Sequence, residues 1–126
     1  MTQEDKELLF KDLCARLLFG VKVRYSSYKE FITCTLHSIN PVYDNVYLWS
    51  ENACFSPVSI SKIKPYLFPM SSMTEEQYKE CCELEYSGNM GHLSIPALDW
   101  LNKNHFDYRG LIEKGLAIDA TNLNIY

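Results

Sequence analysis

Between Val21 and Pro69 the chain reads VKVRYSSYKEFITCTLHSINPVYDNVYLWSENACFSPVSISKIKPYLFP. Apolar and polar residues alternate with a period of two along much of this stretch, which indicates short strands with one buried face. Turn-forming residues interrupt the alternation at 26–27, 40–41, 44–45 and 51–52. The pattern therefore predicts four or five closely spaced antiparallel strands.

The predicted strands lie near residues 21–25, 30–39, 46–49, 53–56 and 64–67, and a single helical turn near 59–62 precedes the last one. In the first strand, Val21 and Val23 face one way, while Lys22 and Arg24 face the other. Pro57 lacks a backbone donor, which favours an edge position or a bulge for the fourth strand.

A helix is predicted from about residue 3 to residue 18. Thr2 is positioned to cap it, and Gly20 readily adopts the left-handed conformation that ends helices. Apolar residues recur at spacings of three and four, which predicts one buried stripe. The stripe consists of Leu9, Phe10, Leu13, Cys14, Leu17 and Leu18.

A helix followed by five short strands, with one helical turn before the last strand, resembles the layout of SH3-like and Sm-like barrels. This resemblance implies an α+β fold in which an N-terminal helix and a small five-stranded antiparallel barrel occupy residues 1–70. The Sm loop that holds RNA bases would correspond to residues 40–45, and the fourth loop lacks the Arg-Gly pair of Sm proteins. The resemblance therefore concerns the architecture and not an RNA-binding ring.

Residues 71–126 are predicted to form a helical segment that packs on the barrel within the same structural unit. Ser72 or Thr74 caps the first helix, Ser94 the second and Asp107 a short third one. The expected elements are helices ending near 85, 104 and 114, a loop at 86–91 and an apolar tail at 116–118.

Length and composition place the chain among small globular proteins. Its 126 residues provide one core, and its 47% hydrophobic content excludes a disordered protein. The apolar runs are shorter than the roughly 18 residues of a membrane helix, and the acidic start lacks the pattern of a secretory signal. An odd count of five cysteines without a CxxC spacing is typical of a reducing compartment. We therefore expect a cytoplasmic protein without membrane contact.

Three cysteines, Cys14, Cys34 and Cys54, stand where apolar residues are expected, so we interpret them as small core residues. The adjacent Cys81 and Cys82 project from a helix about 100° apart, and at most one of them faces the core squarely. A redox or metal-binding pair is the alternative interpretation of these two.

The charge is distributed unevenly, and it bears on the class of partner. Residues 1–70 hold eight Lys or Arg against seven Asp or Glu, whereas residues 71–126 hold four against nine. The basic residues of the predicted barrel form at most a modest patch for nucleic acid. They are Lys22, Arg24, Lys29, Lys62 and Lys64. Interleaved aromatic residues suit base stacking or peptide recognition. The candidate binding residues are therefore Lys22, Arg24, Tyr28, Tyr43, Tyr47 and Trp49.

The sequence contains no signature of catalysis or of cofactor binding. Glycine-rich phosphate loops, Walker motifs and GxSxG are all absent. The three histidines, His37, His92 and His105, are widely separated, and their spacing implies neither a zinc site nor a Cys-His pair. We expect no cofactor, no metal and no enzymatic activity.

The C-terminal string Asp99-Trp-Leu-Asn-Lys-Asn-His-Phe-Asp-Tyr-Arg-Gly-Leu-Ile-Glu-Lys-Gly-Leu-Ala-Ile118 resembles short uncharacterised proteins of Bacteroides-type gut bacteria and of their prophages or mobile elements. The opening Met-Thr-Gln-Glu-Asp-Lys-Glu-Leu-Leu and the stretch at 63–76 are similar to the same group. The resemblance implies an intracellular bacterial or phage setting, and it assigns no role to any residue.

These patterns favour a non-enzymatic binding module that contacts another protein. The first alternative is a nucleic-acid-binding regulator of a mobile element, which would use Lys22, Arg24 and the neighbouring aromatic rings. The second is an enzyme in which Cys81 or Cys82 acts as a nucleophile with a histidine.

Overall fold

The computed structural model describes residues 1–85 and 94–126, so the predicted loop at 86–91 and His92 lie outside the described residues. Over these described ranges the chain is an α+β protein with an N-terminal helix, an open, mostly antiparallel sheet of seven strands and two later helices. No helix in the described ranges is long and apolar enough to cross a membrane. The elements are α1 (Gln3–Arg16), β1 (Lys22–Ser26), β2 (Phe31–Asn40), β3 (Asn45–Trp49), β4 (Cys54–Ser59), β5 (Ile63–Pro69), α2 (Glu75–Glu85), α3 (Ile95–Lys103), β6 (Phe106–Asp107) and β7 (Ile118–Asp119).

The two ends of α1 agree with the prediction. The Thr2 hydroxyl accepts a hydrogen bond from the backbone N–H of Asp5 at 3.1 Å, which caps the first turn. A short 3₁₀ turn, Leu17–Phe19, follows the helix, and Gly20 then adopts a left-handed conformation with φ of 66°. Glycine takes this conformation without a steric penalty, so the chain turns here into the sheet.

The buried face of α1 is rotated relative to the predicted stripe. Leu9 is buried as expected, but Cys14 is exposed and Leu18 is 92% exposed. Asp12 and Arg16 are fully buried instead, and they lie one helical turn apart. The prediction that Cys14 belongs to the core is therefore wrong, because two charged residues occupy the inward face of this helix.

The predicted strands form five antiparallel neighbours in the order β4, β3, β2, β1, β5. Their period of two buries one face of the sheet, and α1 packs into the same core. Pro57 lies in β4 at the edge of the sheet, as predicted. The strand residues of this core are Val23, Cys34, Leu36, Val46, Leu48, Val58, Ile63 and Leu67.

The sheet does not close into a five-stranded SH3-like or Sm-like barrel, so this part of the prediction is wrong. Residues 63–65 of β5 pair with β1, and among the described strands β4 pairs only with β3. Residues 66–67 and 68–69 of β5 pair in parallel with β7 and β6, respectively. Because the second half of β5 pairs with these two short strands, it does not pair with β4, and the sheet remains open.

The first two helices of the C-terminal segment begin at predicted caps. Thr74 and Gln77 form a reciprocal capping box, in which Thr74 N donates to Gln77 Oε1 at 2.9 Å and Gln77 N donates to Thr74 Oγ1 at 3.2 Å. Ser94 Oγ accepts from Ala97 N at 3.2 Å and donates to the Leu84 carbonyl at 2.9 Å. The second of these bonds joins the end of α2 to the start of α3.

The predicted third helix, at 108–114, is replaced by turns, and the prediction is wrong. Asp107 caps these turns, since its carboxylate accepts from Leu111 N and Ile112 N, both at 2.9 Å. Gly110 and Gly115 have φ of 74°, which is incompatible with a continuous right-handed helix. The capping role of Asp107 is thus correct, although no helix follows it.

A buried ion pair joins α1 to the segment around β6. Arg16 donates to both carboxylate oxygens of Asp12, from Nε at 2.8 Å and from Nη2 at 3.1 Å, and Nη2 also donates to the Phe106 carbonyl. Arg109 adds a second cation, with its Nε 3.4 Å from Asp12 Oδ1. Burial raises the pKa of the Asp12 carboxyl, and the two arginines act in the opposite direction.

The C-terminal residues complete the main core. Leu111, Leu116 and Ala117 are buried in the same cluster as α1 and the sheet. A second, smaller cluster lies between the helices and β6 and contains Cys81 and Phe106 together with Leu101. The apolar tail predicted at 116–118 therefore packs on the core.

Candidate binding face

The face of the sheet turned away from α1 carries exposed or half-buried side chains on every strand from β1 to β5. The alternation that buries one face directs these side chains to solvent. We call this surface the open face. Its residues are Lys22, Arg24, Phe31, Thr33, Thr35, His37, Tyr47, Trp49, Cys54 and Lys64.

A cross-strand row crosses the open face from β1 to β4. Lys22 lies opposite Thr35, Thr35 opposite Trp49, and Trp49 opposite Cys54. Cys54 is exposed, so the prediction that it belongs to the core is wrong, because its strand register places it on the side of Trp49. Cys34 projects to the other face and is buried, as predicted.

Trp49, the last residue of β3, forms an aromatic stack on the open face. Its ring lies 4.1 Å from the ring of His37, with an angle of 21° between the planes. Trp49 is nevertheless 52% exposed. The neighbouring ring restricts the orientation of the indole, while much of the indole surface stays accessible to a partner.

Three cations lie together on β1 and β5. Arg24 and Lys64 are directly opposite each other, and Lys22 is the next residue of β1 on the same face. The Arg24 guanidinium lies 4.2 Å from the centre of the Phe31 ring, a cation–π geometry. In the described part of the chain, no carboxylate lies within ion-pair distance of these three cations. This end of the open face is therefore basic.

A shallow groove of about 600 Å³ runs along the cross-strand row. Lys22 lies at one end and Trp49 at the other, with Thr35 between them and Glu51 and Asn52 on the adjoining turn. The groove thus combines an aromatic ring, a hydroxyl and a cation, groups that suit non-covalent recognition of a partner.

The six candidate residues from the sequence do not form one site. Lys22, Arg24, Tyr47 and Trp49 share the open face, whereas the other two tyrosines lie in turns. Tyr28 belongs to the turn that joins β1 to β2, and Tyr43 lies in the 3₁₀ turn Pro41–Tyr43 after β2. These turns are at opposite ends of β2, a separation of roughly 30 Å for a strand of this length.

The candidate set omitted Phe31, which is 66% exposed and lies under the Arg24 guanidinium. The alternation could have revealed it, since Phe31 shares the strand parity of Thr33, Thr35 and His37. The basic patch is also smaller than the sequence allowed. Lys29 and Lys62 lie in turns, and only Lys64 joins the cations of β1.

The remaining histidine and the paired cysteines lie elsewhere. His105 is buried and its ring stacks on Tyr126 at 3.8 Å. Burial, assisted by the charge of Arg16, lowers the pKa of His105 to about 4. Cys81 is buried and Cys82 is half-buried, in agreement with the prediction that one of them at most faces the core. Within residues 1–85 and 94–126, no group of three or more His, Cys, Asp or Glu side chains is arranged to hold a metal ion.

The open face is thus a partly basic and aromatic surface of the sheet formed by β1 to β5. Its side chains offer stacking, cation–π and hydrogen-bonding contacts. Comparison of the chain with protein-family models, with curated proteins and with solved structures found no match in any of the three.

Proposed function

We propose that the protein is a non-enzymatic binding module whose open face contacts another protein. One observation carries the proposal: Trp49 stays about half exposed on a sheet surface where its ring is already oriented by His37. Tryptophan, tyrosine and arginine supply a large share of the binding energy at protein interfaces, and the open face presents all three.

The exposed aromatic rings of the open face support contact with a partner. Phe31, Tyr47 and Trp49 are all exposed, and they project from β2 and β3, which are paired on both sides. Single apolar residues on a surface are ordinary, but three large rings on one face of a sheet are typical of an interaction surface. Paired strands also hold these rings in place before binding, which reduces the entropy lost in the complex.

The size of the open face suits a transient complex. Four spacings of about 4.8 Å and strands roughly 20 Å long give an area of roughly 400 Å². A standard stable interface uses about 800 Å² from each partner. We therefore expect an affinity in the micromolar range rather than a permanent complex.

Capture from cells tests this proposal. The full chain with an affinity tag is crosslinked in the organism that encodes it, treated with nuclease and purified, and the bound proteins are quantified by mass spectrometry. Replacing a central interface tryptophan weakens binding by about 30-fold, so Trp49→Ala should lose the specific partner. Ile95→Ala changes an exposed apolar residue of α3 and should retain it. Equal capture by the wild type, Trp49→Ala and Arg24→Ala would contradict the proposal.

Single-stranded nucleic acid is the second candidate ligand, and the three cations favour it. Lys22, Arg24 and Lys64 lie beside the Phe31 and Trp49 rings, and backbone cations next to stacking rings are the groups that single strands contact. Fluorescence anisotropy with labelled oligo-dT and oligo-U at about 20 mM salt tests this candidate, because phosphate contacts are strongest at low salt. Binding that weakens with salt and with Lys22→Gln supports it. Absence of binding at low salt rejects it.

The proposed setting is the bacterial or phage cytoplasm, and it rests on the resemblance of the strings at 63–76 and 99–118 to proteins of mobile elements. A partner encoded by the same bacterial or phage genome is the corresponding expectation. Identifying the gene of the crosslinked partner tests this expectation, because the gene should lie in the same bacterial or phage genome.

A further inference from the structure

A second concave surface shares no lining residue with the groove of the open face. It is a cleft of about 520 Å³ formed by the start of α2, the end of α3, the end of β5 and the last residues of the chain. We call it the helix-end cleft. Its lining residues are Phe68, Ser72, Thr74, Gln77, Lys103, Asn104, His105, Phe106, Thr121, Asn122 and Tyr126.

Aromatic rings form one wall of the helix-end cleft. The Phe68 ring lies 6.2 Å from that of Phe106 and 5.9 Å from that of Tyr126, in tilted geometry. The Tyr126 ring in turn stacks on His105. Such a wall favours a planar aromatic ligand, which can add another offset or tilted ring contact.

His105 supplies a buried polar group at this wall. It is only 8% exposed, and its Nδ1 has no hydrogen-bond partner among the residues that the structure describes. Its backbone has φ of 62°, and Asn122, also in the lining, has φ of 65°. Left-handed backbone at non-glycine residues costs free energy and is concentrated at ligand sites. The lowered pKa of His105 keeps its imidazole neutral at pH 7.

The charge of the residues that line the cleft favours a negatively charged ligand. Lys103 contributes the one charged side chain among the described lining residues, and no Asp or Glu side chain lines the cleft. Hydroxyl and amide groups also line the cleft; the Asn104 amide already donates to the Trp100 carbonyl, and the Asn122 amide is a further donor group. The start of α2 also borders the cleft, but Glu75 and Glu76 in its first turn oppose the positive end of the helix dipole, so the attraction for an anion rests on Lys103.

We propose that the helix-end cleft binds a small aromatic carboxylate, with the ring against Phe68 and Tyr126 and the carboxylate at Lys103. A volume of this size is in the range of small-molecule sites, in which apolar walls and a few polar groups determine orientation. The cleft shares no lining residue with the open-face groove, although Tyr126 accepts a hydrogen bond from the Lys22 backbone, and the proposal does not depend on the function proposed for the open face.

Titration of the full chain with indole-3-acetate, followed by two-dimensional NMR, tests the proposal. We expect a dissociation constant of about 1 mM or tighter for a ligand of this size. The amide signals of Lys103, His105 and Asn122 should shift, while those of Thr33 and Trp49 on the open face should not. Indole-3-acetamide lacks the charge and cyclohexylacetate lacks the aromatic ring, so both should bind more weakly.

Two variants and a control complete the experiment. Lys103→Gln should weaken binding of indole-3-acetate about fivefold, because an ion pair of the ligand is lost. Thr121→Trp places a large side chain into the cleft and should abolish binding while the protein stays folded, as its backbone N–H still donates to Asp119. Lys62→Gln removes an exposed cation elsewhere and should leave binding unchanged. Absence of shifts up to about 5 mM indole-3-acetate, or equal binding by wild type and Thr121→Trp, would overturn the proposal.

Discussion

Asp12 and Arg16 lie on the face of α1 that a simple apolar pattern would reserve for hydrophobic side chains. Removing two charges from water is costly, and their attraction offsets this only when the geometry is close and the remaining hydrogen-bonding groups are satisfied. The bidentate contact, the Phe106 carbonyl and the Arg109 side chain provide the close geometry, while Arg16 Nη1 has no hydrogen-bond partner among the described residues. The pair thereby fixes the position of residues 106–109 against α1.

Asp12→Asn should destabilise the protein strongly. The variant keeps the shape of the side chain but leaves the buried Arg16 charge without a counter-ion, which typically costs about 3 to 5 kcal/mol. Urea unfolding followed by circular dichroism measures the free energy of unfolding. Asp99→Asn, at an exposed position of α3, should change it by less than about 0.5 kcal/mol. A loss below about 1 kcal/mol for Asp12→Asn would show that the buried pair is not needed for stability.

Because of His105, the free energy of unfolding should be lower at pH 5 than at pH 7. Its pKa is lowered from 6.5 to about 4 in the folded protein, so as the pH falls below 6.5 the unfolded chain takes up a proton that the folded chain does not. The free energy of unfolding should therefore decrease, by about 2 kcal/mol at pH 5 relative to pH 7, and this contribution levels off below about pH 4.

The matched comparison is His105→Asn, since asparagine tolerates a positive φ. Urea unfolding at pH 7 and pH 5 should show a smaller pH dependence for this variant than for the wild type. His37→Asn changes an exposed histidine and should keep the wild-type dependence. Identical dependence in His105→Asn and the wild type would contradict the assignment.

The junction of β1 and β5 is completed by a side chain. The Tyr126 hydroxyl accepts from Lys22 N at 2.9 Å and donates to the Tyr66 carbonyl at 2.8 Å, next to the last backbone pair, Val23 with Pro65. The phenol thus bridges two backbone groups at the point where the strands separate. Beyond it, β5 pairs with β6 and β7 instead.

Tyr126→Phe should loosen this junction. Loss of the hydroxyl leaves two backbone groups without their partner, at a cost of about 1 kcal/mol. Amide exchange at Lys22 should become faster, as measured by NMR, whereas Tyr43→Phe, at an exposed turn, should have no effect. Burial raises the pKa of Tyr126 to about 12, so its stabilising contribution is complete below pH 10 and is lost as the pH rises towards 12. Unchanged exchange at Lys22 would exclude the bridging role.

Elements with a long period-two or helical pattern could be predicted from the sequence, and short ones could not. α1 and β1 to β5 have alternation or caps that act locally. β6 and β7 are two residues each, which is too short to show a periodicity in the sequence. They are strands only because their backbones hydrogen-bond to β5. The alternation of residues in β5 does not show which strands it pairs with. The prediction of a closed barrel assumed pairing with β4, whereas β5 pairs with β1, β6 and β7.

Residues from both the N-terminal part (1–70) and the C-terminal part (71–126) of the chain form the main core. Leu111, Leu116 and Ala117 pack with α1 and the sheet, and Arg109 contacts Asp12. A fragment of residues 1–70 would expose this surface and leave the buried Asp12–Arg16 pair without its cover. We expect the fragment to lack a cooperative urea transition, which the full chain should show. A cooperative transition of the fragment would demonstrate that residues 1–70 form an independent domain.

The candidate site was predictable only in part. The orientation of Lys22 and Arg24 followed from strand parity, which is local, and Trp49 was selected as one of the interleaved aromatic residues. The residues next to Trp49 depend on the register between β2 and β3. The helix-end cleft forms where four segments that are distant in the sequence come into contact. His105 and Tyr126 gave no signal because the ring stack between them and the hydrogen bond from Tyr126 to Tyr66 join residues far apart in the sequence.

The hydrogen bond from Arg16 to the Phe106 carbonyl spans 90 positions of the chain. Ribosomes add roughly 5 to 20 residues per second, so Arg16 is synthesised roughly 5 to 20 s before its carbonyl partner exists. During that interval α1 presents a charged pair and an apolar face without the segment that covers them. We therefore expect the contacts that cover Asp12 and Arg16 to form only after residues 106–109 have been synthesised.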